Sequence, residues 1–277
     1  MVRFAIICVL FLAPTISLNI TDFRVANAAE PSVFSQALPG YVYRFPEDFY
    51  SHDDFRIEWW YYTGNLEEVA TSRSFGYQLT FFRVALDTIS GNPNPSKWKV
   101  GHIYFAHMTL SDIAGEKFYY FERINRKGIG NAGADSQRLM VWNEDWSLEG
   151  KDNEHLLEAV ESGTGIKLQL APEKKLVVHG QDGISKKGSE AGNASHYFSY
   201  TRMKTSGTVF VDGKSYKVFG TSWMDHEYSS NQLNNELSGW DWFSLKLDDQ
   251  TELMLYQLRR KSGGIDSFSS GTFVSSD

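Results

Sequence analysis

The chain has 277 residues, 27 of them basic and 34 acidic, for a formal net charge of −7. That acidic balance argues against a nucleic-acid partner, which needs a basic surface to displace counterions. Aromatic residues make up 15% of the chain and include eight tryptophans; this is more ring surface than packing alone usually calls for, and a ligand-binding interior is one way to use it.

The first segment reads MVRFAIICVLFLAPTISLNITDFRVANAAEP, with a charge at Arg3, an apolar run starting at Phe4 and a small-x-small pattern at Ala26-Asn27-Ala28. The pattern predicts a secretory signal peptide over residues 1–28. The apolar run is about ten residues, short of the ~20 needed to cross a bilayer, and no later stretch comes close. The mature chain is therefore expected to carry no membrane span and to be exported, either periplasmic or secreted. Removing the leader takes away Arg3, Arg24 and Asp22 and leaves 25 basic against 33 acidic residues, a net charge of −8. The only cysteine, Cys8, goes with it. Without a disulfide the protein must rely on core burial, which a chain of this size can supply.

Beyond the leader, helical periodicity is absent. Short aromatic and β-branched runs recur between Gly, Asn and Asp punctuation, the pattern of an all-β sandwich or barrel. RIEWWYYTGNL (56–66), SFGYQLTFFRVAL (74–86), KVGHIYFAHMTL (99–110) and KFYYFERI (117–124) open the series. RLMVWNEDWSL, GIKLQLAP, KLVVHG, HYFSYTRMK, TVFVDGKSYKVFGTSW and GWDWFSLKL continue it. Asp212-Gly213 supplies the positive φ angles of a type I′ hairpin turn, and 112–115 and Asp248-Asp249 serve similarly. The long segments 129–137 and 181–195 read as loops.

Gly128-Ile129-Gly130-Asn131-Ala132-Gly133 matches G-x-G-x-x-G, but a strand rather than a helix follows it. No helix N-terminus is then available for a pyrophosphate, and the match carries no nucleotide-binding function. G-x-S-x-G, a phosphate-binding Walker loop and H-E-x-x-H are all missing, so the common hydrolase and zinc-protease chemistries have no support.

The seven histidines (52, 102, 107, 155, 179, 196, 226) are scattered, and none pairs with a third donor at zinc-site spacing. In WMDHEYSS (223–230), strand alternation puts Asp225 and Glu227 on one face and His226 on the other with Met224. No metal is expected on these grounds. Glu58 shares its face with Trp60 and Tyr62; Trp240 and Trp242 share one face of GWDWF, with Asp241 opposite. Glu58, Asp225 and Asp241 are thus carboxylates set among rings. In apolar surroundings such a group keeps its proton near neutrality, and neighbouring ring faces stabilise a developing cation. Those are the parts needed to protonate an isolated alkene and let water add. The same carboxylates could instead pair with arginines such as Arg56 or Arg83.

FRIEWWYYTGNL, FGYQLTFFR, HIYFAHMTLSD, GTSWMDHEYSS and GWDWFSLKLDDQTELMLYQLR, in that order, resemble the AttH/CrtC family, which includes the carotenoid 1,2-hydratases (hydroxyneurosporene synthases). The wording is closer to exported AttH-type members than to the pigment-pathway hydratases. The resemblance implies a lipocalin-like antiparallel β-barrel over residues 29–230. The start of a second lipocalin-like barrel follows over 231–277; it is expected to be incomplete, because family members continue for many more strands. It also implies a small apolar ligand, a lipid or isoprenoid, and no cofactor, since the family's hydratases add water across a C=C bond unaided. Asp225, His226 and Asp241 fall where those hydratases place functional polar groups, with Trp240, Trp242 and Tyr256 in the same segments. Glu58, Trp59 and Trp60 stand in the other signature, and Trp223 opens WMDHE. Asp225 or Asp241 would be the proton donor, His226 would position water or orient a carboxylate, and the tryptophans would line the ligand site. Two functions stay open: a carrier of an apolar molecule, or a hydro-lyase of the carotenoid 1,2-hydratase kind.

Overall fold

A computed structural model describes residues 34–71, 73–86, 100–128 and 130–276. The expected signal peptide lies outside the described residues. Among the described residues, apart from a 3-10 turn at Glu47–Phe49, the regular structure is all strand. The first eight strands are β1 (Ile57–Glu68), β2 (Ser74–Ala85), β3 (His102–Asp112), β4 (Lys117–Arg126), β5 (Ala132–Ala134), β6 (Met140–Asn143), β7 (Trp146–Lys151) and β8 (Glu154–Glu161). They are followed by β9 (Thr164–Pro172), β10 (Val177–Val178), β11 (Ser185–Lys186), β12 (Ala194–Val211), β13 (Lys214–Ser229), β14 (Leu237–Lys246), β15 (Glu252–Arg260) and β16 (Ser270–Val274). Each long run predicted from alternation is a strand. The differences are these: β8, β15 and β16 form in stretches outside the predicted series, β5 and β11 lie inside segments read as loops, where Ala, Gly, Ser and Lys give no β-branched signal, and KLVVHG contributes only the two residues of β10.

One antiparallel sheet runs in the order β4-β3-β2-β1-β13-β12-β9-β8-β7-β6-β5, with β10 and β11 added to β12. It curls until its two ends meet. Side chains, rather than a backbone ladder, bridge the remaining gap. Arg123 on β4 donates to the Asn143 carbonyl at 3.1 Å and to Glu161 at 2.7 Å, its guanidinium 4.3 Å from the Trp146 ring. Asn125 donates to the buried Asn143 side chain at 2.7 Å, and Asn143 in turn donates to the Tyr104 carbonyl at 3.2 Å. The result is a nearly closed, lipocalin-like barrel. The 18-residue β12 and 16-residue β13 form its spine, joined at Asp212-Gly213, where φ angles of 50° and 80° give the expected turn. Where β1 crosses β13, a side chain at Gly220 would meet the Asn65 carbonyl; glycine lets the backbones approach that closely.

Barrel pairing sorts the residues by face. Inward point Trp60, Tyr62, Leu79, Phe81, Met108, Phe198, Met203, Met224 and Tyr228, which pack with Trp146, Leu148 and Leu168 into one interior cluster. Outward from the same strands point Trp59, Tyr61, Tyr197 and Trp223. They are buried too, because a separate sheet, β14-β15-β16, lays Leu237, Trp242, Met254, Tyr256 and Leu258 over them. This cover explains why EWWYY carries rings on both faces: one set fills the barrel and the other fills the seam beneath the second sheet.

Candidate functional site

The alternation expected in WMDHE is present. Trp60 pairs with His226, and Tyr61 with Asp225, so His226 enters the barrel while Asp225 and Glu227 enter the seam. Two buried polar centres result, on opposite sides of one strand.

The centre inside the barrel is built on Glu58, which is completely buried. Its Oε1 accepts from His52 Nδ1 at 2.8 Å and from His226 Nε2 at 2.9 Å, and its Oε2 from Arg83 Nε at 3.0 Å and the His52 amide at 3.0 Å. Burial alone would raise the Glu58 pKa. The hydrogen bonds from His226 and His52, with the charges of His52 and Arg83, outweigh it and hold the carboxyl well below its usual range. Burial would lower His52, but Asp48 and Glu58 raise it to about 9. His226 is pushed down by burial.

The ligand atoms of His52, Glu58 and His226 lie within 4.8 Å of one another, a convergence that the scattered histidines of the sequence do not show. As a cation site the arrangement fits poorly. Both ring nitrogens aim at one carboxylate oxygen, and the guanidinium of Arg83 sits on the other. Chemically it is an ion hub, tying the 46–55 segment to β1, β2 and β13. Trp60 belongs to the same interior; its Nε1 donates to the Phe49 carbonyl at 3.1 Å and its ring lies 4.8 Å from that of His226.

The centre in the seam is built on Asp225. Trp223 Nε1 donates to Asp225 Oδ1 at 2.6 Å, and Ser199 Oγ donates to the same oxygen. Ser199 is 2.7 Å from His179 Nε2, and His179 Nδ1 is 2.8 Å from Thr272 Oγ1 on β16. Burial pushes His179 down to about 3, so the ring is neutral, and its two contacts define the tautomer. Thr272 donates to Nδ1, Nε2–H donates to Ser199, and Ser199 donates to Asp225. With two donors on Oδ1, the acidic proton belongs on Oδ2. Burial raises the Asp225 pKa to about 7, against the lowering effect of Ser199 and Trp223. Among the described residues, no cation balances Asp225 as His52 and Arg83 balance Glu58.

Rings surround this carboxyl. Trp242 lies edge-on to Tyr61 at 5.4 Å and to Trp223 at 6.0 Å, and its Nε1 donates to Tyr197 Oη at 3.1 Å. Trp240 stacks over Trp59 at 6.3 Å. The Tyr61 hydroxyl is buried without a hydrogen-bond partner. Beside these rings is a pocket of about 10 Å³, room for one water. Its lining includes Lys187, Tyr197, Glu227, Gln232, Trp242 and Tyr256.

Of the residues singled out in the sequence, Asp225, Trp59, Trp223, Trp240, Trp242 and Tyr256 gather in the seam. Glu58, Trp60 and His226 lie in the barrel. Asp241 lies on the far side of β14, a third exposed, in an ion pair with Arg259. Sequence reading missed His179, Ser199, Tyr197 and Lys187, which reach the seam from short strands, a loop and a strand whose other face fills the barrel.

A nearly closed, lipocalin-like barrel with a ring-lined seam over its outer wall defines the class of protein. Residues 36–277 match the AttH-like family, and the chain belongs to it. A candidate AttH from Nitrosomonas europaea is 33% identical, with a TM-score of 0.76 over 87% of this chain and 74% of that one. Kievitone hydratase from Nectria haematococca matches at 11% identity and a TM-score of 0.59, over 87% of this chain and 72% of its own. CghA with Sch210972 matches at 9% identity and 0.52, over 88% and 66%. At such low identities these last two likenesses are of fold alone. No curated protein matches the sequence. Among the described residues, no helix is long and apolar enough to cross a membrane.

Proposed function

We propose that this AttH-family protein is exported and binds a small apolar molecule, of lipid or isoprenoid type, at the aromatic seam between the barrel wall and the β14-β15-β16 sheet. The observation that carries the reading is a carboxyl without a counter-cation, buried among Trp59, Tyr61, Tyr197, Trp223, Trp240 and Trp242. The barrel interior is a weaker candidate, because its own side chains pack it. The seam pocket holds only a water's volume in this closed form, so a ligand would enter as the covering sheet lifts away. Residues 29–230 then act as the first lipocalin-like unit and residues 231–277 as the beginning of a second.

The state of Asp225 favours a second reading, a cofactor-independent hydratase. Its Oδ2 proton would pass to one carbon of an isolated C=C bond, leaving a tertiary cation faced by the rings. Water would add to the cation, and its surplus proton would return to the Asp225 carboxylate, so the acid is regenerated. Anaerobic incubation with acyclic carotenoids and other terminal-prenyl compounds in heavy-oxygen water tests both readings. Labelled tertiary alcohol, lost in Asp225→Asn, is the hydratase result. Binding without label is the carrier result, and absence of binding refutes the seam.

A further inference from the structure

The seam holds a second charged group, for which neither reading has a use. Lys187 is only 4% exposed. Its ammonium donates to Ser185 Oγ at 3.0 Å, a contact within its own loop, and lies 3.8 Å from the centroid of the Tyr256 ring and 5.4 Å from that of Tyr197. Its carboxylate neighbour, Glu227 Oε1, is 3.6 Å away, a buried but long ion pair. That oxygen already accepts from Ser195 and from Gln232 Nε2 at 3.1 Å. An ammonium carries three donors. Here one is used locally and one faces Glu227 at long range, which leaves a donor toward the rings and the pocket that Lys187 lines. A buried cation so loosely paired is costly unless an acceptor arrives.

We propose that Lys187 is an oxyanion reader, and that the ligand class is therefore an amphipathic acid: an apolar, unsaturated body bearing one anionic oxygen. This inference rests on the seam being the ligand site. The spacing is set by β13. Asp225 and Glu227 are two residues apart on one face, about 7 Å, so an oxygen beside Lys187 and Glu227 stands roughly that far from the carbon facing Asp225. A pure hydrocarbon would leave the ammonium with Ser185, the rings and the long contact to Glu227, whereas an anion gains a charge-assisted hydrogen bond in a dry site. Tyr256 and Tyr197 lie flat against the cation and leave their edges to the apolar body.

The test compares three probes of one skeleton by titration of tryptophan fluorescence: geranic acid, its methyl ester and 2,6-dimethylocta-2,6-diene. A hydrogen bond to a charged group predicts that the acid binds about ten- to hundredfold more tightly than the diene, with the ester close to the diene. Lys187→Met should bring the acid's affinity down to that of the diene, and Lys187→Arg should restore part of the preference; unfolding midpoints establish that both variants are folded. Equal binding of acid and diene by the native protein, or an undiminished preference in folded Lys187→Met, overturns the oxyanion reader and leaves the seam site standing. If none of the three probes binds, the seam itself fails and Lys187's role fails with it.

Discussion

Asp225 offers the sharpest test, because its environment makes opposite demands at two pH values. Burial lifts its pKa from 3.8 to about 7. For a carboxyl group this direction opposes folding at high pH: the unfolded chain releases the proton first, so stability falls as pH rises from about 4 to about 7. Three pKa units at 1.36 kcal/mol each give a penalty of about 4 kcal/mol at pH 8, against about 1 kcal/mol at pH 4.5. Asp225→Asn removes the titration, keeps an oxygen for Ser199 and Trp223, and places an amide where the proton-bearing oxygen was. The variant should gain on the native protein by roughly 3 kcal/mol more at pH 8 than at pH 4.5. For a chain of this size that is about 6–12 °C in the unfolding midpoint. Scans of both proteins at the two pH values measure it. A gain equal at both pH values would mean that the native carboxyl is already ionised or solvated, and both the proton donor and the dry seam would be refuted.

Other outcomes follow from the same geometry. His52, raised to about 9 by Asp48 and Glu58, contributes stability that is complete below about pH 6.5 and fades as pH climbs through 9, so the deficit of His52→Gln should shrink over that window by on the order of 3 kcal/mol; a deficit independent of pH in denaturant titrations would disprove it. Arg83→Met strands the buried Glu58 charge and should destabilise by about 3–5 kcal/mol. Arg259→Met, which breaks the half-exposed pair with Asp241, should stay within about 1 kcal/mol. If the two losses are alike, the barrel hub is not the buried charge centre described. Trp223 hydrogen-bonds to Asp225, so its emission should show a transition near pH 7 that disappears in both Asp225→Asn and Trp223→Phe; persistence in either variant assigns the transition elsewhere.

Alternation made the strand content and the division of each strand into faces legible. EWWYY and WMDHE already separate Glu58, Trp60 and His226 from Trp59 and Asp225. Alternation does not say which face is the inside of a barrel and which is covered by another sheet, because both are apolar here. Of the ion hub, the sequence reading offered only the pairing of a carboxylate such as Glu58 with Arg83, which the structure shows. His52 enters from a loop and Arg83 from the neighbouring strand, and only the β1–β2 register, Glu58 opposite Arg83, brings them together. His179, Ser199 and Lys187 carry no periodic signal. Ser199 faces Asp225 directly across the β12–β13 ladder, and His179 and Lys187 reach the seam because β10, β11 and the residues after them fold back against β12.

The contrast between the two centres explains why one strand presents three adjacent ionisable residues. On the inner face, Glu58 receives His226, His52 and Arg83 and stays ionised; such a hub gains little net free energy but fixes how the 46–55 segment sits on the barrel, since removing any member leaves a charge stranded. On the outer face, Asp225 receives the neutral donors Ser199, Trp223 and Tyr197, which do not offset its burial, and it is left with a proton that its surroundings do not stabilise losing. Glu227, two residues along, is likewise raised by burial, against the lowering effect of Lys187, 3.6 Å away, and of Ser195. Carboxyl groups on opposite sides of one sheet are thus driven to opposite protonation states by the presence or absence of the histidine donors and of charged partners. A sequence under pressure only to fold would have little reason to keep uncompensated acids in a seam that leucine could fill more favourably. The stability given up at Asp225 is thus what supports the proposal that a ligand would bind at the seam rather than in the barrel interior.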